Sequence, residues 1–107
     1  MIFAEYQRAA ARTSADSDDR QRDTLISAVG LVGEAGEVAD LIKKHIGHGK
    51  RVDHVALAYE LGDVLWYISD IATRYGLDLG QIAAQNVKKL RDRYPLGFTP
   101  NVDEVTQ

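Results

Sequence analysis

Cysteine is absent from the 107-residue chain, which removes a disulfide framework, a thiolate metal centre and a cysteine nucleophile together. Proline occurs twice, and the first of the two, Pro95, ends the last helix that the apolar spacing predicts. No stretch sustains the period-two alternation of a half-buried strand. No uncharged run approaches the ~18 residues of a membrane span, and "MIFAEYQRAAARTSADSDDR" at the N-terminus lacks the continuous apolar core of a signal peptide. No membrane partner is therefore expected, and a cytoplasmic location is. Positive charge is also scarce: 13 Lys and Arg stand against 16 Asp and Glu, a net charge of -3, so duplex nucleic acid is not the expected partner.

What is present is a chain with 45% hydrophobic residues, enough for one modest core and a single domain over residues 1–107. Its spacing predicts an all-α protein of four helices. The first runs from about Ile2 to Thr13, with Phe3, Tyr6, Ala9 and Ala10 on one face. After the polar "SADSDDRQR", a second spans Asp23 to His45 and ends at "GHGKR", where Gly47 and Gly49 follow a Lys43-Lys44-His45 cluster suited to a helix C-terminus. The third runs from Val52 to Tyr75, with Gly76 as its stop. Asp78 and Gln81 resemble a capping box that opens the fourth, which ends at Pro95. The helical core thus covers about 2–95, and 96–107 reads as an irregular tail. Helices of so small a domain that are apolar on several faces point to a bundle completed by oligomerisation.

The second helix carries carboxylates where packing residues belong. Gly30, Glu34, Glu37, Leu41 and Lys44 fall on one seam, flanked by Ile26, Leu31, Val38 and Ile42. The third helix repeats the arrangement with Glu60, Asp63, Tyr67, Ile71 and Arg74. A hairpin of the two helices turns all four acids toward one volume, where mutual repulsion calls for a cation. Hard oxygen donors with no thiolate or histidine among them suit Mg²⁺, with Mn²⁺ as a substitute, and Mg²⁺ recruits substrate phosphates. Glycines at 30, 33 and 36 sharpen the case, since three interior glycines cost roughly 2 to 3 kcal/mol relative to alanine. Close approach of a neighbouring helix, or room beside the acids for metal and phosphate, would offset that cost.

The pattern Glu34-x-x-Glu37, then 22 residues, then Glu60-x-x-Asp63, set in "VGEAGEVADLIKK" and "ELGDVLWYISDIA", resembles the MazG-like nucleotide pyrophosphohydrolases of the all-α NTP pyrophosphatase superfamily. "NVKKLRDRYPLGF" resembles the end of that family's catalytic domain, so the likeness covers roughly residues 20 to 98. It implies a four-helix MazG-like bundle in which Glu34, Glu37, Glu60 and Asp63 bind Mg²⁺ and carry catalysis. The reaction implied is hydrolysis of a nucleoside triphosphate between its α and β phosphates, giving monophosphate and pyrophosphate. A homodimer or homotetramer is expected from the family and from the apolar faces together.

A triphosphate also needs cations. On the fourth helix Asn86, Lys89 and Arg93 lie within about 60° of one another and interrupt the stripe of Ile82, Val87 and Leu90, so Lys89 and Arg93 are candidates for charge-assisted bonds to phosphate. Lys44 continues the acidic seam, and Tyr67, one turn after Asp63, is a candidate nucleotide contact. Trp66 points away from that seam and is expected to pack, a candidate for the contact between subunits. His45, His48 and His54 surround a glycine loop without the spacing of a zinc site. Three other readings share these residues: a phosphoribosyl-ATP pyrophosphohydrolase, a dUTPase-like specialist, and a non-catalytic helical dimerisation or regulatory module. A di-iron carboxylate bundle needs Glu-x-x-His pairs, and the sequence holds none.

Overall fold

The computed structural model describes residues 1–97, and these form four helices with no strand among them: α1 (Phe3–Ala11), α2 (Arg20–His48), α3 (His54–Arg74) and α4 (Leu79–Arg93). The expected all-α architecture is therefore found. The expected irregular tail lies, from residue 98 onward, outside the described residues.

The starts of α2, α3 and α4 are each set by an aspartate whose carboxylate satisfies amides left without an intrahelical partner, whereas α1 follows Ile2 with no side-chain cap. Asp19 accepts from the Arg22 amide at 3.0 Å, Asp53 from Val55 and Ala56 at 2.9 and 3.2 Å, and Asp78 from Gln81 at 2.9 Å. α2 starts three residues earlier than its spacing predicts because Asp19 supplies this cap. At the other end it runs through Gly47 and stops where Gly49 adopts φ 64°, a left-handed conformation that a side chain would disfavour. Gly76, with φ 68°, plays the same part between α3 and α4.

α2 and α3 form an antiparallel hairpin, α1 lies against α3, and α4 lies against α1. Gln7 on α1 fastens the turn between α3 and α4. Its Nε2 donates to Thr73 Oγ1 (3.1 Å) and to the Leu77 carbonyl (2.9 Å), and its Oε1 accepts from the Leu79 amide (2.8 Å).

The interior of one chain is thin and partly polar. Among the described residues Ala10, Ala72 and Leu79 are the buried apolar ones, and Asp23, Ser27, Ser69 and Asp70 are buried with them. Asp70 is the centre of a network: it accepts from Ser14 Oγ, from Ser27 Oγ at 2.8 Å and from Arg74 Nε at 2.8 Å. Arg74 also donates to Ser14 Oγ and to the Ala15 carbonyl. Burial pushes the Asp70 carboxyl up, but the hydrogen bonds from Ser14, Arg74 and Ser27 outweigh it and hold the group below the usual carboxylate range. Arg74, which the α3 seam predicts beside the acids, instead ties the loop after α1 to α3.

Candidate active site

The hairpin brings three of the four seam carboxylates together. Ligating oxygens of Glu34 on α2 and of Glu60 and Asp63 on α3 all lie within 4.8 Å of one another, with Glu34 and Glu60 half-buried and Asp63 exposed. The reason is geometric: residues three apart on α3 share a face, and that face meets the Glu34 position of α2. Glu37, one turn further along α2, is exposed and stands outside this trio, yet near enough for its charge to act on Glu60.

The electrostatics are those of a crowded anionic site. Glu60 is pushed from 4.5 up to about 7, first by the Glu34 carboxyl group, with which it can share a hydrogen bond only if one of the two is protonated. Burial adds to the shift, as do the charges of Glu34, Asp63 and Glu37. Oxygen Oε2 of Glu60 is enclosed and has no hydrogen-bond partner. A buried carboxylate oxygen without a donor is costly, and converging hard oxygens with such an orphan fit a divalent cation.

The cavity beside the trio has a volume of about 390 Å³ and is lined by Thr13, Glu34, Asp63, Trp66 and Tyr67. Tyr67 reaches it by crossing α2 at Gly30, where an added methyl group would overlap the tyrosine ring and hydroxyl. Gly30 thus has a steric reason within one chain. Gly33 and Gly36 face open space, with nothing near enough to meet a side chain. Trp66, expected away from the acids, stands in this cavity wall: its ring meets that of Tyr67 edge to face, centroids 5.0 Å apart, and its Nε1 donates to Thr13 Oγ1 at 2.8 Å. α1 reaches the site a second time through Tyr6, whose phenol is pushed up by burial and then by the Asp63 charge.

The basic residues are not gathered at the acids. Lys44 forms an ion pair with Asp40 at 2.9 Å, one turn back on α2, and that partner raises its pKa, with a smaller contribution from Glu37. Lys89 and Arg93 line a separate groove along α4 with Gln85, Lys88 and Asp92, and Asn86 is exposed on the same helix. Lys88, which the spacing does not single out, pairs with Asp92 at 2.9 Å. His45 is engaged by the Lys50 carbonyl. As site residues Tyr6 and Thr13 escape the sequence reading because Tyr6 lies on α1 and Thr13 just beyond its end, away from both acidic seams, and only the docking of α1 on α3 brings them near Asp63.

Residues 22–98 match the MazG nucleotide pyrophosphohydrolase domain. The chain is 34% identical over 101 residues to the Gene 37 protein of Mycobacterium phage L5, an alignment covering 86% of this chain and 88% of that protein. It is 38% identical over 72 residues to dCTP pyrophosphatase 1 of Mus musculus, covering 62% of this chain but 42% of the mouse protein. No solved structure matches it significantly. With four helices, a paired acidic motif on the central hairpin and a domain match over most of its length, the chain belongs to the MazG nucleotide pyrophosphohydrolase family.

Proposed function

We propose that the protein hydrolyses a nucleoside triphosphate between the α and β phosphates in a Mg²⁺-dependent reaction, releasing nucleoside monophosphate and pyrophosphate. The observation that carries this reading is the convergence of Glu34, Glu60 and Asp63 oxygens within 4.8 Å, together with the orphaned Glu60 oxygen. Those three side chains are the proposed metal ligands, with Glu37 at the edge of the set. Bound there, Mg²⁺ (or Mn²⁺) would neutralise phosphate charge and polarise the anhydride. Glu37, exposed and one helical turn from Glu34, is assigned the general base that takes a proton from the attacking water. Glu34, Glu60 and Asp63 would hold that cation, and Tyr67 bounds the space left for the nucleoside.

Among triphosphates, the likeness to mouse dCTP pyrophosphatase 1 favours a deoxypyrimidine nucleotide. Incubation of the protein with Mg²⁺ and a panel of eight common ribo- and deoxyribonucleoside triphosphates, with products separated by chromatography, tests the proposal. Monophosphate and pyrophosphate are expected; diphosphate and orthophosphate as first products would refute it. Among the described residues no helix is long and apolar enough to cross a membrane, and the proposed location is the cytoplasm.

A second copy is part of the proposal. Leu25, Ile26, Val29 and Val32 leave an apolar face of α2 exposed, Val32 to 73%, and Gly33 and Gly36 beside it are open. Such a face in so small a chain calls for a partner, and small residues there let a helix approach closely. Because α4 does not meet the acids of its own chain, Asn86, Lys89 and Arg93 are proposed to approach the triphosphate in a homodimer or homotetramer. Lys44 joins them once Asp40 releases it. Light scattering at micromolar concentration is expected to give the mass of a dimer or tetramer; a monomer of 11.8 kDa would remove these residues from the site.

A further inference from the structure

The cavity next to the carboxylates has a wall that the acidic motif does not account for. If phosphates occupy the acidic end, the uncharged half of a nucleotide must extend along the rest of the lining, and that lining is Thr13, Trp66 and Tyr67. Two of these are aromatic rings locked edge to face. An aromatic surface next to a phosphate site suits a nucleobase, because every base offers a face for stacking.

Thr13 is the unusual member. It stands before the residues 22–98 that match the family, just beyond the end of α1. Its hydroxyl is fully engaged in one direction: it accepts from Trp66 Nε1 at 2.8 Å and donates to the Ala10 carbonyl at 2.7 Å. The indole N–H is therefore held by α1, and a large ring on α3 is fixed at both its edges, by Thr13 on one side and by the Tyr67 ring on the other. Tyr67 in turn is seated over Gly30. The chain Ala10, Thr13, Trp66, Tyr67, Gly30 thus links α1, α3 and α2 around one end of the cavity.

We propose that Thr13 and Trp66 form the nucleoside-facing wall of the acidic site, with the hydrogen bond between them acting as a positioning contact that presents the Trp66–Tyr67 pair to the base. The inference rests on the reading of the site as a triphosphate hydrolase and adds to it the residues that hold the nucleoside. Trp66 contacts the base; Thr13 acts through Trp66.

Steady-state kinetics with the triphosphate that the parent hydrolyses fastest, set beside inhibition by inorganic tripolyphosphate, separates the wall from the acids, since tripolyphosphate has phosphates and no nucleoside. Thr13→Val removes the hydroxyl at nearly constant shape, and Trp66→Phe removes the N–H while keeping an aromatic ring. Each is expected to raise KM about three- to tenfold, the range of one neutral hydrogen bond, with a smaller change in kcat and with the tripolyphosphate inhibition constant held. The double variant should be no worse than the worse single, because both remove one contact, and Thr13→Ser should recover most of the loss. Trp66 is the chain's one tryptophan, so the emission of the parent should shift on adding an α,β-methylene triphosphate analogue with Mg²⁺ and stay unchanged with tripolyphosphate. Parental KM in both Thr13→Val and Trp66→Phe would overturn the wall, as would equal weakening of nucleotide and tripolyphosphate. A parent that hydrolyses no triphosphate would overturn the reading of the site, and the wall with it.

Discussion

Glu60→Gln is expected to lower hydrolysis by about 10²- to 10³-fold, the scale of several kcal/mol of lost charge stabilisation, while making the metal-free protein more stable near neutral pH. Both effects have one origin. Glu60 carries the enclosed oxygen without a donor and lies against Glu34 and Asp63, so its charge is unwelcome without a cation and needed with one. The sign of the pH dependence follows from its pKa. In the folded chain Glu60 titrates at about 7 instead of 4.5, so between those values the native state binds more protons than the unfolded one. Stability then falls as pH rises from about 4.5 to about 7. Glu60→Gln removes that slope. Adding Mg²⁺ should stabilise the parent by RT ln(1 + [L]/Kd) and the variant far less. Thermal melts across pH 4 to 8, with and without Mg²⁺ and paired with pyrophosphate release, measure all of this. A variant with full activity, or one with the parent's pH slope, would end the assignment. Glu37→Gln is the contrast: as the assigned base outside the trio, its loss should slow hydrolysis while leaving most of the Mg²⁺ stabilisation in place.

The largest loss of stability is expected at Asp70→Ala. Asp70 is 3% exposed and accepts from Ser14, Ser27 and Arg74; the Arg74 side chain is itself 15% exposed. Removing the carboxylate leaves a largely buried guanidinium and a buried serine hydroxyl without their acceptor, at a cost of about 3 kcal/mol or more. For a chain of this size that lowers the melting temperature by more than about 10 °C. Because the folded Asp70 carboxyl is held below its ordinary range, its contribution is present above that range and is lost as pH falls through the folded value. The gap between parent and variant should therefore narrow in acid. A change under about 0.5 kcal/mol at neutral pH, the size of an ordinary surface substitution, would show that the network contributes nothing.

Helix number and order were legible in the residues, and helix boundaries to within about three residues, because each signal is local. Asp53 and Asp78 cap the amides that follow them, and Gly49 and Gly76 adopt the left-handed conformation that ends a helix. The meeting of Glu34 with Glu60 and Asp63 was legible too, since helical periodicity puts both acidic pairs on packing seams and a short loop folds one seam onto the other. Of the three glycines, Gly30 has the close approach that its cost implies, though the neighbour is the Tyr67 side chain and not a helix backbone.

What periodicity does not carry is which charges find other partners and what a remote helix adds. On its seam Arg74 belongs with the acids, but Asp70, one turn away, binds it first; Lys44 is held in the same way by Asp40. A salt bridge four residues along a helix needs no tertiary arrangement, so it competes successfully with a more distant site. Trp66 leaves the acidic face on a helical wheel, yet an indole is long enough to turn its edge toward α1, and only the docking of α1 on α3 makes Thr13 its acceptor. The sequence by itself therefore determined the all-α class, the family and the acidic motif, because those depend on spacing within single helices. The tertiary structure alone decided the composition of the cavity wall and the separation of Lys89 and Arg93 from the carboxylates, because contacts between α1, α3 and α4 depend on how whole helices pack and leave no repeat in the chain.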